Sequence, residues 1–215
     1  MFKFGRKMRN LSRSSLRCSV NDRSAPDDMT IDKNSEAQYF IAIVPPEPVH
    51  SEALQLKHYF REQYNSKASL NSPPHITLHM PFRWRKDREQ GPVASLKQFT
   101  ATKSQIEIRL TGFSSFEPRV IFIDVARSEA LDELQKQLKR FCRIKLNLFN
   151  ADYKDLGFNP HITLAFRDLK KPQFYKAWEE FRTKSFEATF RVSSIALLKH
   201  DGKVWEIFKL LPLAN

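Results

Sequence analysis

Hydrophobic and polar positions alternate strictly along a five-residue stretch that occurs twice in the chain. Residues 74–78 and 160–164 both read Pro-His-Ile-Thr-Leu. Alternation with a period of two predicts a strand with one buried face, so the Ile and Leu of each copy face the core and the His and Thr face the other side. By the same count, His79 shares the face of His75 and Thr77. Each copy is therefore expected to present an imidazole and a hydroxyl away from the core.

The patterns around the two copies predict the same order of elements: strand, helix, repeated strand, helix and strand. These elements are expected at 39–44, 49–60, 74–80, 92–100 and 106–110 in the first unit, and at 120–125, 128–141, 160–166, 172–181 and 186–192 in the second. Ser128 is a predicted helix cap and Pro172 a predicted first-turn residue. The pair Asp201-Gly202 predicts a final hairpin between strands at 195–200 and 203–211.

This duplication predicts an α+β fold with two lobes related by a pseudo-twofold axis. Each unit would form a mainly antiparallel sheet with helices on the outside, and the two sheets would face one another across a central cleft. The histidines and threonines of the two copies would meet there, namely His75, Thr77, His161 and Thr163. Residues 37–215 are expected to form this single bilobal domain.

Two facing imidazoles suit acid/base catalysis, because histidine titrates near neutral pH. One could accept a proton from a nucleophile while the other donates a proton to a leaving group. Two hydroxyls could donate hydrogen bonds to oxygens held between them, as displacement at phosphorus requires. No metal or cofactor is expected, since the sequence has neither a Cys/His/Asp cluster typical of zinc sites nor a Gly-rich phosphate loop.

The formal net charge of +12 favours an anionic partner such as a phosphate ester or nucleic acid. Half of that charge lies in the first twenty residues, which contain six Lys or Arg and no acid. Residues 1–36 are predicted to be a disordered tail, with an organelle-targeting peptide as the alternative. Cys18 and Cys142 lie in unlike settings, so we expect a reducing, cytoplasmic compartment rather than a disulfide framework. No apolar run is long enough to predict a membrane span.

The paired His-x-Thr-Leu motifs in a two-unit αβ chain resemble the two-histidine (2H) phosphoesterase superfamily, in particular its bacterial branch of 2′-5′ RNA ligases and RNA 2′,3′-cyclic phosphodiesterases. The resemblance covers residues 39–211. It implies hydrolysis of 2′,3′-cyclic phosphates to 2′-phosphomonoesters, or reversible 2′-5′ joining of RNA ends. It also implies roles for the motif residues: His75 and His161 as the acid/base pair, with Thr77 and Thr163 on the phosphate.

Three further side chains are predicted to contact the substrate. Arg167 follows His161 by six residues and resembles the arginine that many ligase-like members carry after the second motif. His79 would line the cleft beside the first motif. Trp84 lies within the basic stretch 83–88 and is predicted to be an exposed contact for nucleic acid, because an aromatic ring can stack on a base.

Two functions remain open from the sequence. One is a metal-independent phosphoesterase that acts, as a monomer, on RNA ends or small cyclic nucleotides. The other is a non-catalytic RNA- or nucleotide-binding module that uses the same cleft. Intact His and Thr in both motifs favour the enzyme. Asp155, in the loop before the second motif, would favour a charged imidazole nearby, so His161 is the predicted acid and His75 the predicted base.

Overall fold

A computed structural model describes residues 35–151 and 157–215 of the chain. Its strands and helices, in chain order, are β1 (Glu36–Ile43), α1 (Val49–Tyr64), β2 (Ile76–Arg85), α2 (Gln90–Thr100), β3 (Ile106–Phe116), β4 (Val120–Val125), α3 (Glu129–Leu146), β5 (His161–Ala165), α4 (Lys171–Phe181), β6 (Glu187–Val192), β7 (Ser194–His200) and β8 (Trp205–Pro212). Residues 68–71 and 86–88 form short 3-10 turns. Positions 1–34 of the predicted tail lie outside the described residues, and β1 begins at Glu36.

The described strands form one eight-stranded sheet in the order β6-β3-β4-β5-β2-β1-β7-β8, and neighbouring strands are antiparallel. The predicted α+β class and pseudo-twofold organisation are confirmed. The two expected sheets are the halves β6-β3-β4-β5 and β2-β1-β7-β8 of this one sheet. They join where β2 meets β5, through the pair Ile76 and Ile162.

The half β6-β3-β4-β5 contains strands from both sequence units, because it includes β3 of the first unit, and the sequence did not predict this. β3 pairs with β4 because only residues 117–119 separate them, and so short a connection favours a hairpin. The equivalent place beside β1 is taken by β7 of the C-terminal hairpin. The twofold relation therefore matches β2-β1-β7-β8 with β5-β4-β3-β6, so the two motif strands are equivalent and adjacent.

The alternation along each strand divides its side chains between two faces of the sheet. Ile41 and Ile43 of β1 belong to the main core, which the buried sides of α1 to α4 complete. Phe40 and Ala42 point the other way and form a small apolar cluster with Leu198. The four helices thus cover one face, and the opposite face carries the His and Thr of each motif.

Local sequence signals account for the ends of two helices. The side-chain oxygen of Ser128 accepts a hydrogen bond from the backbone N–H of Leu131 at 3.2 Å, which confirms the predicted cap of α3. Pro172 lies in the first turn of α4, where its missing N–H is not needed. No helix among the residues 35–151 and 157–215 has the length and apolarity that crossing a bilayer requires.

Candidate active site

The two repeated strands meet at the centre of the sheet. β2 and β5 pair through the isoleucines of the two motifs, Ile76 and Ile162, whose side chains are fully buried in the core. Continuing this antiparallel register sets the four polar motif residues opposite one another in two pairs, His75 with Thr163 and Thr77 with His161. All four are half-buried. The motifs therefore form one polar cluster that solvent can reach.

Both imidazoles are fixed by the same backbone contact. Nδ1 of His75 lies 2.7 Å from the carbonyl oxygen of Pro73, and Nδ1 of His161 lies 2.8 Å from that of Asn159. A carbonyl oxygen only accepts hydrogen bonds, so each Nδ1 carries the hydrogen. In the neutral ring Nε2 is then the acceptor, and in the charged ring it is a donor. Each histidine can therefore exchange a proton through Nε2 without changing its orientation.

An aromatic ring supports each imidazole from the strand that precedes the motif. The ring centroids of Phe40 and His75 are 4.7 Å apart with planes at 47°, and those of Phe122 and His161 are 4.8 Å apart at 48°. The hydrophobic pattern of the sequence did not predict that these phenylalanines belong to the site. Their equivalence could have been found by aligning the two predicted units, since each lies on the strand before its motif.

Two further aromatic rings lie near these histidines and phenylalanines. Phe116, which is 39% exposed, lies 5.3 Å from His161 in an edge-on arrangement. Trp205 lies 4.7 Å from Phe40 on the other half of the sheet. The polar cluster thus has an aromatic side chain near each histidine.

The electrostatic surroundings of the two histidines differ. Burial lowers the pKa of His75 to about 3, and the positive charge of Lys57 acts in the same direction. Burial also lowers the pKa of His161. The backbone carbonyl partner opposes the shift in pKa at both histidines, but only at His161 does a carboxylate, that of Asp124, oppose it as well. A charged imidazole is therefore less disfavoured at His161 than at His75.

Asp124 is a carboxylate that influences His161. Asp155 lies outside the described residues, so that prediction is untested. Asp124 is the direct partner of His161 in the β4–β5 ladder. The sequence could not identify it, because the register between strands 37 positions apart is set by tertiary pairing rather than by local pattern.

The predicted placement of His79 in the cleft is wrong. Thr77 and His79 pair with adjacent residues of β1, Ala42 and Ile41, so β2 carries one extra residue at Leu78. Such a β-bulge breaks the strict alternation of faces. His79 consequently lies on the core side with Ile41, and its exposed fraction is 0%.

The structure does not bring Trp84 to the histidines. Trp84 is nine positions beyond His75, which along a strand corresponds to about 30 Å. It lies near the end of β2, packs against the main core, and donates its indole N–H to the Arg88 carbonyl oxygen at 3.0 Å. Any contact it makes with nucleic acid would therefore be remote from the polar cluster.

Arg167 lies on the turn after β5 rather than on the strand. Its backbone has φ +60°, its side chain is exposed, and its guanidinium lies 5.0 Å from the centre of the Phe166 ring. Its role in binding phosphate stays a prediction.

The polar cluster has the chemistry of an oxyanion site. Within the described residues, no group of three or more His, Cys, Asp or Glu side chains is arranged to hold a metal ion. The motifs contribute two imidazoles and two hydroxyls, which donate hydrogen bonds to anionic oxygens. This combination can bind a phosphate group and exchange protons with it.

Comparison with known proteins identifies the family. The family model of the 2′-5′ RNA ligase superfamily matches residues 45–204, a span that contains both motifs. The chain belongs to the 2′-5′ RNA ligase superfamily. This membership confirms the resemblance to the 2H phosphoesterases.

The proteins similar to this chain match most of its length. A protein of Geobacillus kaustophilus (strain HTA426), provisionally named a phosphoesterase, is 31% identical over 175 residues, which are 80% of this chain and 94% of the relative. TT0787 of Thermus thermophilus has a TM-score of 0.60 and 22% identity, covering 82% of this chain and 97% of its own. E. coli LigT complexed with 3′-AMP has a TM-score of 0.60 and 17% identity, covering 84% and 99%. At these identities the two structures establish the shared fold.

Proposed function

We propose that this protein hydrolyses 2′,3′-cyclic phosphates of RNA ends or nucleotides to 2′-phosphomonoesters, with His75 as the base and His161 as the acid. The observation that carries the proposal is the pair of imidazoles on adjoining strands, each held through Nδ1 so that Nε2 is available. A module that only binds RNA does not require two imidazoles fixed in the same tautomer. Membership of a phosphoesterase family supports the same choice.

The proposed reaction is a displacement at phosphorus. Nε2 of neutral His75 accepts a proton from water as the water oxygen forms a bond to phosphorus. Nε2 of charged His161 donates its proton to the 3′ oxygen as the bond between that oxygen and phosphorus breaks. The product is the 2′-phosphomonoester, and a proton exchange with solvent restores the starting states. The charges around the two histidines support these roles, because Lys57 favours a neutral His75 and Asp124 favours a charged His161.

The remaining groups of the site would bind the substrate. The hydroxyls of Thr77 and Thr163 would donate hydrogen bonds to the non-bridging oxygens, where negative charge develops during displacement. Phe116 and Trp205 would stack on a base of the substrate. Support for a nucleotide ligand comes from E. coli LigT, which shares the fold and has been crystallised with 3′-AMP and with ATP.

Reversible 2′-5′ ligation would use the same groups with a different nucleophile. A 5′-hydroxyl of a second RNA end would take the place of water, and its attack on the cyclic phosphate would form the 2′-5′ bond. The family to which the chain belongs favours testing this reaction beside hydrolysis. The two outcomes differ only in the group that gives its proton to His75.

The decisive experiment is an assay of the purified full-length chain on cyclic phosphates in the presence of EDTA. The substrates are the four 2′,3′-cyclic mononucleotides, an oligonucleotide with a 2′,3′-cyclic end and, for ligation, a second oligonucleotide with a 5′-hydroxyl. 3′,5′-Cyclic AMP is the matched control substrate. We expect 2′-phosphomonoesters, identified by chromatography against 2′ and 3′ standards, and turnover at least about 10²-fold slower with the H75A/H161A double variant.

Two results would contradict the proposal. Loss of activity in EDTA, with recovery on adding a divalent metal, would show that the mechanism depends on a metal. Tight binding of the cyclic-ended oligonucleotide without any turnover, unchanged in H75A/H161A, would instead support the non-catalytic RNA-binding module.

A further inference from the structure

A buried lysine contacts the loop that precedes the first motif. Lys57 on α1 is only 1% exposed, although an ammonium group is costly to remove from water. Its Nζ donates hydrogen bonds to the carbonyl oxygens of Ser69 and Ser72, both at 2.9 Å. These two carbonyls belong to the 3-10 turn at 68–71 and to the residue that follows it. The lysine therefore ties the helix to the loop that leads into the motif.

The loop that Lys57 holds also carries the hydrogen-bond acceptor of the catalytic imidazole. Ser72 precedes Pro73, whose carbonyl oxygen is the partner of His75 Nδ1 at 2.7 Å. A shift of the loop would therefore move the acceptor that orients the imidazole. The same ammonium lies close enough to His75 for its positive charge to lower the pKa of that histidine.

The other neighbours of His75 do not duplicate this effect. His161 on the adjoining strand β5 lowers the pKa of His75 less than Lys57 does. Phe40 faces it from β1 and carries no charge. His200 at the end of β7 packs against Trp205, which in turn packs against Phe40, and it is not among the groups that shift the pKa of His75.

We infer that Lys57 is a positioning residue for His75: its ammonium fixes the loop that orients the imidazole, and its charge opposes protonation of the proton acceptor. The inference rests on the proposed function, because it assumes that His75 acts as the base. A residue needed only for packing at this place would be apolar, whereas an ammonium satisfies two backbone carbonyls at once. Burial lowers the pKa of Lys57 to about 7, so it carries its charge throughout the acid range in which His75 titrates.

The test is an NMR titration of both imidazoles in the full chain, together with the pH dependence of kcat/KM. In K57M the hydrogen bonds to the loop and the positive charge are both lost. We therefore expect the titration midpoint of His75, and with it the acid limb of kcat/KM, to move to higher pH. We also expect kcat to fall by about tenfold to a hundredfold, as for a misplaced catalytic group. In K57Q an uncharged amide can still donate to the carbonyls, so the midpoint should move while kcat falls less.

Two variants of the same loop serve as controls. The hydroxyl of Ser69 is buried and, within the described part of the chain, has no hydrogen-bond partner, so S69A should leave the midpoint and kcat unchanged. Asp168 holds the start of the loop by accepting hydrogen bonds from the Ser66 hydroxyl and the N–H groups of Lys67 and Ala68. D168N loosens the loop without removing a cation, so it should lower stability without raising the midpoint of His75.

The inference is overturned if K57M and K57Q fold and the midpoint of His75 stays where it is in the wild type. If neither variant folds, the titration of the wild-type protein tests the inference. Its His75 resonances should show a second inflection near the pH at which Lys57 loses its proton. The absence of that inflection would also overturn the inference. These titrations need no substrate, so they stand even if cyclic phosphates prove not to be hydrolysed.

Discussion

Asp124 on β4 lies directly opposite His161 on β5 in the antiparallel ladder. Its negative charge favours the charged imidazole, whereas the charge that acts on His75 is the ammonium of Lys57. The pseudo-twofold axis relates the two imidazoles, their backbone carbonyl partners and their supporting phenylalanines, but it does not relate these charges. If one histidine is to act as an acid and the other as a base, their geometry can be symmetric but the charges around them must differ.

The first prediction concerns pH. We expect kcat/KM to follow a bell-shaped profile with its optimum below pH 6.5. The acid limb reports protonation of His75, whose pKa is about 3, and the alkaline limb reports loss of the proton from His161, whose pKa is lowered from its usual value. Between the limbs His75 is neutral and His161 charged, which is the active combination. The profile is measured at constant ionic strength on the substrate found in the assay above.

The variant D124N checks the alkaline limb of that profile. Removing the carboxylate disfavours the charged form of His161, so its pKa should fall and the limb should move to lower pH. The acid limb should stay in place. A profile that is flat through the neutral range, with the chemical step rate-limiting, would rule out the acid/base pair.

The second prediction concerns the two histidines. His75→Ala and His161→Ala should each lower kcat by about 10²–10⁴-fold, the usual contribution of one acid or base. The double variant should cost far less than the product of the two effects, because the groups act in one step. His50→Ala, at the start of α1, is the control and should retain activity. Full turnover by either single motif variant would contradict the mechanism.

The third prediction concerns the threonines. Thr77→Val and Thr163→Val keep the shape of the side chain and remove only the hydroxyl. Each should cost about 1.5–3 kcal/mol of transition-state stabilisation, as expected for a hydrogen bond to a charged group. That loss corresponds to about tenfold to a hundredfold in kcat/KM. Thr189→Val, on β6 away from the motif strands, is the matched control, and an equal loss there would mean that the effect is structural.

The fourth prediction concerns the contact between α1 and α4. Phe181 is 1% exposed, and its ring lies 4.7 Å from that of Phe60 on α1. Phe181→Ala should lower the free energy of unfolding by about 3–5 kcal/mol, because it removes a large side chain and leaves a cavity. Tyr175→Ala on the same helix is the control. Tyr175 is 48% exposed, so urea denaturation should show a change within about 0.5 kcal/mol.

The fifth prediction concerns the basic N-terminal region. Deleting residues 1–34 spares β1, which begins at Glu36, so the melting temperature and the turnover of cyclic mononucleotides should stay nearly unchanged. Affinity for long RNA should fall, because six Lys or Arg in the first twenty residues are removed. The difference should shrink as salt rises, since binding through phosphates releases counterions. Equal affinity at low salt would exclude this region from RNA binding, and a large loss of stability would show that it packs on the domain.

Local patterns predicted most elements of the fold, because alternation, helical spacing and capping depend on neighbours in sequence. The strand at 120–125 has the predicted bounds, and Ser128 caps the helix after it. β2 continues to Arg85, beyond the predicted end at position 80, and proline at 81 does not interrupt it. A strand that gains a partner through tertiary pairing can extend past a residue that would end it in isolation.

The sequence by itself determined the catalytic candidates and their duplication. One five-residue pattern, repeated at 74–78 and 160–164, was enough to place an imidazole and a hydroxyl on one face of each strand. Only the tertiary structure decided that β3 pairs with β4 while β7 pairs with β1, and that a bulge turns His79 into the core. It also decided that Asp124 and Lys57 influence different histidines. These features depend on register and packing between segments far apart in the chain, and local patterns of hydrophobic and polar residues carry no information about such contacts.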